Sequence, residues 1–345
     1  MTIMGCYGSG RVCGKTPCRR QPRESCSIEP EMSVASKTAK LAALAWFVSR
    51  NPKAAFSRTQ YLFLISHMRS RSSLLSHILG SHPQVIGYSE LHQSYRRWSD
   101  LLWRRNLAHL ERRGSLRDKY LLDKVLHNQY PISPGILGAP DTKCIFLLRE
   151  PESTLKSIRH LSSLTGESEY KDSGKNLAYY RSRLALMSDY ASNCPTNGCF
   201  VESDNLIDDT DAVLHRLTQW LGLTMPLQPE YSIFTNTGQR WKGDPSDNIK
   251  SGKVLKTAGP QGVEVPPAML EEAYAAHEAC KRQLKNAFGG GQLIHLHCSN
   301  TTWAGNWRCI SASQALAFIR RWFGRPRCGV YGYRQSSSTK TPGRL

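Results

Sequence analysis

The stretch YLFLISHMRSRSSLLSHIL, residues 61–79, joins an apolar run to a basic, serine-rich turn and then to a second apolar pattern. The run YLFLI (61–65) is continuously apolar, which is typical of a strand buried on both faces of a parallel sheet. After the serines, apolar residues recur at helical spacing until Gly80 and Pro83. A strand, a tight turn and a helix are therefore predicted here.

Further strand candidates recur along the chain, with helical segments between them. They are QVIGY (84–88), YLLDK (120–124), KCIFLLRE (143–150) and CFVES (199–203). Helices are predicted over 91–119, from Pro151 through PESTLKSIRHLSSL, and over 208–223. This alternation predicts an α/β fold with a mostly parallel sheet that helices flank on both faces.

Most of the formal net charge of +19 lies at the ends of the chain. Residues 1–57 contribute +6 and residues 291–345 contribute +8, so the central part is only mildly basic. Neither end shows a clear helical or strand period of apolar residues, and together the two ends hold seven of the eleven cysteines. We therefore predict a basic, Cys-rich, poorly ordered extension at 1–57, one folded domain at 58–290, and a basic, poorly ordered tail at 291–345.

Neither a zinc site nor a targeting segment is indicated. The cysteines form no C-x-x-C pair, and we expect no metal. The first thirty residues lack the apolar core of a secretory signal. The run LAALAWF (41–47) is far shorter than the ~20 apolar residues that span a bilayer. A cytoplasmic protein without a membrane span is the resulting expectation.

Charged and polar side chains follow the predicted strands at their carboxyl ends. HMRSRSS follows the first strand, SELH follows the second, DK ends the third and RE ends the fourth. Because ligands of open parallel sheets bind outside the carboxyl ends of the strands, these segments are expected to converge on one site.

The turn RSRSSLL has the composition of an anion-binding loop. A helix N-terminus presents unpaired N–H groups and favours negative charge, while Arg and Ser add hydrogen-bond donors. The turn lacks both glycines and the lysine of G-x-x-x-x-G-K-[ST], so it is not a Walker-type ATP loop. For this segment alone, a capped surface turn is the alternative.

A second anion site is suggested by Arg149, at the tip of the fourth strand, and Ser157, eight residues later in the following helix. Both side chains can face the cleft that holds the first anion. The alternative is an Arg149–Glu150 ion pair, with Ser157 on a polar helix face.

Three segments, in this order and spacing, resemble sulfotransferases that use 3′-phosphoadenosine 5′-phosphosulfate (PAPS). YLFLISHMRSRSSLL resembles their 5′-phosphosulfate loop, and FLLREPESTLKSI resembles their 3′-phosphate motif. CFVESDNLIDDTDAVLHRLTQWLGL is similar to the strand-and-helix module that follows. The resemblance covers roughly residues 58–260. It implies the P-loop nucleotide-hydrolase-like sulfotransferase fold, with PAPS as co-substrate and no metal.

The resemblance also implies roles in donor binding. The residues that would hold the 5′-phosphosulfate are Arg69, Ser70, Ser72 and Ser73, and those that would hold the 3′-phosphate are Arg149 and Ser157. Arg71 stands where many members have Gly; we include it in the donor site, with its side chain directed to solvent or to the sulfuryl group. In the loop RWKGDPSDNIKSGKV (240–254), Lys242 and Gly243 are nucleotide-contact candidates, and a solvated loop is the alternative.

Glu90 is the candidate catalytic base, because some branches of the family place a carboxylate at this distance after the Arg-Ser loop. His127 is the second candidate, since other branches use a histidine after a comparable lysine. Lys124 would neutralise charge on the oxygen that leaves sulfur. The alternatives are an ordinary loop carboxylate for Glu90 and a surface pair with Asp123 for Lys124.

The acceptor is expected to be a hydroxyl or amine of a small molecule or carbohydrate, selected by segments 91–119 and 159–195. The basic, aromatic character of 91–119 hints at an anionic or sugar-like acceptor. Two other functions stay open at this stage. One is a nucleotide-dependent kinase of related fold, and the other is a non-enzymatic nucleic-acid-binding protein that uses the basic tails and the arginines around Tyr95, Trp98 and Trp103. Nucleic acid is an unfavoured partner for the mildly basic core.

Overall fold

A computed structural model describes residues 34–112, 115–194, 196–238, 244–256 and 262–288. The chain divides into a short unit that ends at Ala45 and a second unit that begins at Trp46 and contains the sheet. The strands are β1 Thr59–Ser66, β2 Val85–Ile86, β3 Lys119–Val125, β4 Thr142–Leu148 and β5 Gly198–Glu202.

The α-helices are α1 Val34–Arg50, α2 Pro52–Ala55, α3 Ser72–Ser81, α4 Trp98–Arg112, α5 Pro134–Leu137, α6 Pro151–Thr165, α7 Ser173–Ser192, α8 Asn205–Asp208, α9 Thr210–Leu221 and α10 Pro267–Phe288. Two 3₁₀ helices cover Ser168–Lys171 and Asp247–Ser251. Helices α1 and α2 lie within 1–57, the segment expected to be poorly ordered. No helix in the described ranges is long and apolar enough to cross a membrane.

The five strands form one sheet in the order β2-β3-β1-β4-β5, and every pairing is parallel. Alternate residues of the central strands enter two separate cores, as the two-residue period of a strand requires. Phe63 and Ile65 of β1 pack with α4 and α7, whereas Leu62 and Leu64 pack with α3 and α9. The predicted α/β class, with helices on both faces of a parallel sheet, is confirmed.

Two predicted elements are shorter in the structure than in the sequence pattern. QVIGY forms only two strand residues, because the buried Arg104 guanidinium takes the carbonyl oxygens of Ile86 and Leu122 at 2.9 and 3.0 Å. Gly87, at φ +103°, makes room for that guanidinium: a Cβ there would lie 2.5 Å from Nη2 of Arg104. The ladder therefore ends at Ile86.

The helix predicted over 91–119 begins only at Trp98. Upstream, Tyr95 forms a parallel bridge with Ile132, and its hydroxyl donates to Asp123 at 2.6 Å. The Asp100 carboxylate accepts from the backbone N–H groups of Arg96 and Arg97. These contacts hold 91–97 in a non-helical path beside the end of β3.

Candidate active site

A cleft of about 1000 Å³ opens at the carboxyl ends of the strands. The residues predicted from the sequence that line it are Arg69, Arg71, Ser72, Ser73, Glu90, Lys124, His127, Arg149 and Ser157. They come from the ends of four strands and from the loops and helices that follow them, and the parallel order brings these strand ends to one edge of the sheet. Lys242 and Gly243 lie outside the described residues, so their predicted contacts stay predictions.

The turn between β1 and α3 has an unusual backbone. Arg69 and Arg71 both adopt the left-handed region, at φ +60° and +66°. A residue with a Cβ pays roughly 1–2 kcal/mol for this conformation, so the surrounding contacts must hold the turn. A turn of this kind at a helix N-terminus directs backbone N–H groups into a concavity that suits an anion. The positive φ of Arg71 fits the glycine that many members of the resembling family have there.

Ser70 supports this turn from the side that faces the sheet. It is fully buried and is not among the residues that line the cleft. Its hydroxyl lies 2.6 Å from that of Ser66, and its carbonyl oxygen accepts from the Ser203 hydroxyl at 2.7 Å. The Ser70 side chain is therefore bonded to the end of β1, and its backbone carbonyl is bonded to Ser203, which directly follows β5.

Arg69 connects the two anion motifs predicted from the sequence. Its Nε donates to the Ser157 hydroxyl at 2.8 Å, and its carbonyl oxygen accepts from Nη1 of Arg149 at 2.9 Å. The loop after β1 and the strand-tip arginine after β4 thus form one continuous surface.

Arg149 lines this surface and has one buried donor without an acceptor. Only 9% of the residue is exposed, and its buried Nε has no hydrogen-bond partner. Burial, reinforced by the nearby Arg71, lowers the pKa of Arg149 to about 10, so the guanidinium is charged at neutral pH. Glu150 is not its ion-pair partner, since that carboxylate caps α6 by accepting from the N–H groups of Glu152 and Ser153. A buried cationic donor without an acceptor fits a phosphate group.

Lys124 and Asp123 are both buried, at 2% and 1% exposure, so they are not the surface pair considered as the alternative. The Asp123 carboxylate accepts from the Tyr95 hydroxyl and from the backbone N–H of Leu91, at 2.6 and 3.0 Å. Burial raises the pKa of Asp123 to about 6. Lys124 instead donates to the Ser73 hydroxyl at 3.2 Å, and burial lowers its pKa. Lys124 therefore stands between the loop after β1 and the loop that carries Glu90.

Glu90 and His127, the two candidate bases, are neighbours. Oε1 of Glu90 lies 3.7 Å from Nε2 of His127, and the Glu90 side chain is 10% exposed. That oxygen is buried without a hydrogen-bond partner. Burial lowers the pKa of His127 although the Glu90 charge raises it, so the ring is neutral at pH 7. Glu90 also lines the cleft, where a positioned carboxylate can take the proton of a bound hydroxyl.

Sequence reasoning missed Asp244, which meets the anion-binding loop from the segment after β5. Its carboxylate accepts from Nη1 of Arg69 at 2.9 Å, and its backbone N–H donates to the Ser73 hydroxyl at 3.1 Å. Burial raises its pKa, but Arg69 and the Ser246 N–H outweigh this, and the net shift is downward. Its only sequence signal is its place in the GDPSD run next to Lys242 and Gly243.

The structure settles where the Arg71 side chain goes. Its Nη1 pairs with the Asp204 carboxylate at 2.5 Å and donates to the Ser203 carbonyl at 3.1 Å. Arg71 therefore ties the loop after β1 to the loop after β5, while still lining the cleft.

Arg183 of α7 is a second residue that sequence reasoning missed. It is fully buried, and its guanidinium donates to the carbonyl oxygens of Ser66 and Val125 at 2.7 and 2.5 Å. These carbonyls end β1 and β3, so Arg183 holds the starting points of the two loops that carry the site. Nothing in the local pattern of α7 distinguishes this arginine from its exposed neighbours.

The acceptor segments contribute unequally to the cleft. Segment 91–119 supplies only His92 among its described residues, and no described residue of α4 lines the cleft. Segment 159–195 supplies His160, Leu161, Leu164, Thr165, Glu169 and Tyr170. The basic, aromatic helix that hinted at an anionic acceptor therefore does not form the wall of this cleft.

Among the described residues, no group of three or more His, Cys, Asp or Glu side chains is arranged to hold a metal ion.

No protein-family model matches the sequence, and no curated protein matches it. The solved structures similar to this chain include the sulfotransferase domain of the Synechococcus PCC 7002 olefin synthase, at 16% identity and TM-score 0.44, covering 65% of this chain and 95% of that one. The sulfotransferase domain from the curacin biosynthetic pathway is similar at 17% identity and TM-score 0.47, with 65% and 98% covered. A sulfotransferase from Alicyclobacillus acidocaldarius is similar at 13% identity and TM-score 0.40, with 66% and 94% covered. At these low identities and TM-scores, the activity of this chain has to be inferred from its own site.

Proposed function

We propose that this chain is a PAPS-dependent sulfotransferase. It moves a sulfuryl group to the hydroxyl or amine of an acceptor. The observation that carries the proposal is the Arg69–Arg149–Ser157 connection, which joins two anion-binding motifs into one surface beside Glu90 and Lys124. A donor with charged groups at both its 5′ and 3′ positions matches two joined anion motifs.

The donor supplies an activated sulfuryl group on its 5′-phosphate. On this chain, Arg69, Ser72, Ser73 and the N–H groups at the start of α3 bind the 5′ end, and Arg149 with Ser157 binds the 3′-phosphate. The unpartnered Nε of Arg149 supports the second assignment. Asp244, which pairs with Arg69, offsets part of the positive charge of this half of the cleft.

Catalysis by this chain consists of positioning and charge stabilisation. Glu90 takes the proton of the acceptor hydroxyl as the acceptor oxygen bonds to sulfur, in line with the breaking bond between sulfur and the bridging oxygen. Lys124 stabilises the negative charge that the 5′-phosphate gains through that oxygen. Its hydrogen bond to Ser73 supports this placement, because Ser73 belongs to the anion-binding loop. His127, 3.7 Å from Glu90, helps to orient the acceptor hydroxyl.

The experiment is a transfer assay with ³⁵S-labelled PAPS and, in parallel, γ-³²P-labelled ATP, across a panel of hydroxyl and amine acceptors. We expect sulfuryl transfer and release of 3′-phosphoadenosine 5′-phosphate (PAP), and no phosphoryl transfer. Phosphoryl transfer from ATP would establish the kinase alternative. Failure of the full chain to bind PAP in calorimetry would refute the proposal outright.

A further inference from the structure

Most of the cationic side chains that line the cleft belong to the anion-binding loop or contact it. The Lys and Arg residues among its described lining are Arg69, Arg71, Lys124, Arg149 and Lys253. Three of these lie in the joined anion motifs, and Lys124 bonds to Ser73 of the same loop. Lys253 forms a bridge with Glu230, and the ring of the adjacent Tyr231 lies 5.7 Å from His77 of α3, the helix that begins at the anion-binding loop. We call this part the donor half.

The other part is built from α6 and the 3₁₀ helix that follows it. His160, Leu161, Leu164 and Thr165 follow Ser157 at spacings of three, four, seven and eight residues, so they continue the face of α6 that carries Ser157. At a rise of about 1.5 Å per residue, this face extends roughly 12 Å beyond Ser157. Glu169 and Tyr170 then continue the wall. We call this part the acceptor half.

The opposite wall of the acceptor half is aromatic. The His92 ring lies 5.5 Å from the Tyr130 ring and 6.2 Å from the His127 ring, centroid to centroid. His92 adopts φ +49°, which is uncommon for a residue with a side chain. Leu126 completes this wall. Rings and aliphatic side chains on both sides suit an acceptor with an apolar body.

Both formal charges in the acceptor half are negative. They belong to Glu90, deep beside His127, and to Glu169, which is exposed at the mouth. No described lining residue of this half is Lys or Arg. Burial raises the pKa of Tyr170 in this wall, and the negative charges of Glu169, Glu167 and Glu90 add to the upward shift. An anionic acceptor would therefore meet two like charges, and the lining cation that interacts with Glu90 is Lys124, whose ammonium already bonds to Ser73 of the anion-binding loop.

We propose that the acceptor is a neutral or cationic alcohol, phenol or amine with an apolar body, and that Glu169 is a specificity-determining residue that disfavours anionic acceptors. This inference rests on the proposed sulfotransferase function. It differs from the anionic acceptor that the composition of 91–119 suggested.

The test compares acceptors that share a ring and a reacting hydroxyl and differ in the charge of one substituent. Two series are used, para-substituted phenols and para-substituted benzyl alcohols, each with an ethyl, an aminoethyl or a carboxyethyl substituent. With wild-type protein and PAPS, we expect kcat/KM for the carboxylates to be at least tenfold below that of the neutral and cationic partners, because of like-charge repulsion near Glu90. A wild-type preference for the carboxylates would overturn the inference.

The role of Glu169 is tested by charge reversal. Glu169→Lys should raise kcat/KM for the carboxylates about fivefold and lower it about fivefold for the aminoethyl compounds, through KM rather than kcat. The neutral compounds should change little. Glu271→Lys is the matched control, because Glu271 is exposed on α10 and outside the cleft, and it changes the net charge equally. Equal effects of the two variants would refute the role of Glu169.

A parallel titration with PAP distinguishes a failure of the proposed sulfotransferase function from a failure of the proposed acceptor class. If PAP does not bind, the sulfotransferase function fails and the acceptor class fails with it. If PAP binds but neither series is sulfated, only the acceptor class is refuted.

Discussion

Arg149 offers the sharpest test of donor binding, because its buried Nε has no partner within the protein. A hydrogen bond between charged groups contributes about 1.5–3 kcal/mol, and a guanidinium can form two such bonds with a phosphate. Allowing for incomplete additivity, we expect Arg149→Ala to cost about 2–4 kcal/mol of binding to a 3′-phosphate. This corresponds to roughly 30- to 1000-fold weaker binding.

The assay is isothermal titration of wild type and Arg149→Ala with two ligands, PAP and AMP, which differ only in the 3′-phosphate. Wild type should bind PAP far more tightly than AMP. Arg149→Ala should bind the two ligands almost equally, while its AMP affinity stays close to that of wild type. The coupling free energy between side chain and phosphate then isolates their contact from other effects of the substitution.

Two further variants control for changes in structure. Arg159→Ala removes an arginine of α6 that donates to the Glu264 carbonyl and does not line the cleft, so it should leave both affinities unchanged. Arg149→Lys keeps a positive charge but not the planar fork, and should recover only part of the PAP preference. Equal losses of PAP and AMP binding in Arg149→Ala would refute the reasoning. They would mean that Arg149 acts by holding the Arg69 carbonyl, to which it donates at 2.9 Å.

Three other predictions follow from the site and its supports. Glu90→Gln should lower kcat by about 10²–10⁴-fold with PAP affinity unchanged; a larger loss in His127→Asn than in Glu90→Gln would move the base to His127. Because burial raises the Asp123 pKa to about 6, wild type should lose up to about 3 kcal/mol of stability as the pH rises from 4 to 7. In urea titrations Asp123→Asn should lack this loss, and parallel pH profiles would contradict the pKa shift. Arg183→Met should lower the free energy of unfolding by about 2–5 kcal/mol, because it leaves two buried carbonyls unpaired; an unchanged urea midpoint would contradict this.

The parts of the site that were predictable from the sequence share a physical origin. The strand, turn and helix of 61–79, and Arg149 with Ser157, are encoded by residues close together in the chain. Because the strands of a parallel sheet run in the same direction, their carboxyl ends then meet at one edge of the sheet. The burial of Ser70 was not predictable in this way, because a loop composition does not reveal which serine faces the sheet.

The contacts that the sequence could not indicate join distant parts of the chain. Arg69 meets Asp244 across 175 residues, and Arg183 holds the Ser66 carbonyl across 117 residues. No periodicity or local motif encodes such pairs, since each depends on how the helices pack on the finished sheet. The same holds for the helix over 91–119, where Tyr95 bonds to Asp123 of β3 and so prevents the predicted helix from starting before Trp98.

By itself, the sequence determined the α/β class, the order of the strands and helices along the chain, and the loops whose arginines and serines suit anions. These properties depend on the two- and 3.6-residue periods and on the composition of short segments. Only the tertiary structure decided that Glu90 and His127 lie side by side, that Arg71 pairs with Asp204, and that the acceptor half of the cleft lacks Lys and Arg among its described residues. Those outcomes depend on side-chain packing between elements far apart in sequence, which is set only when the sheet and its helices assemble.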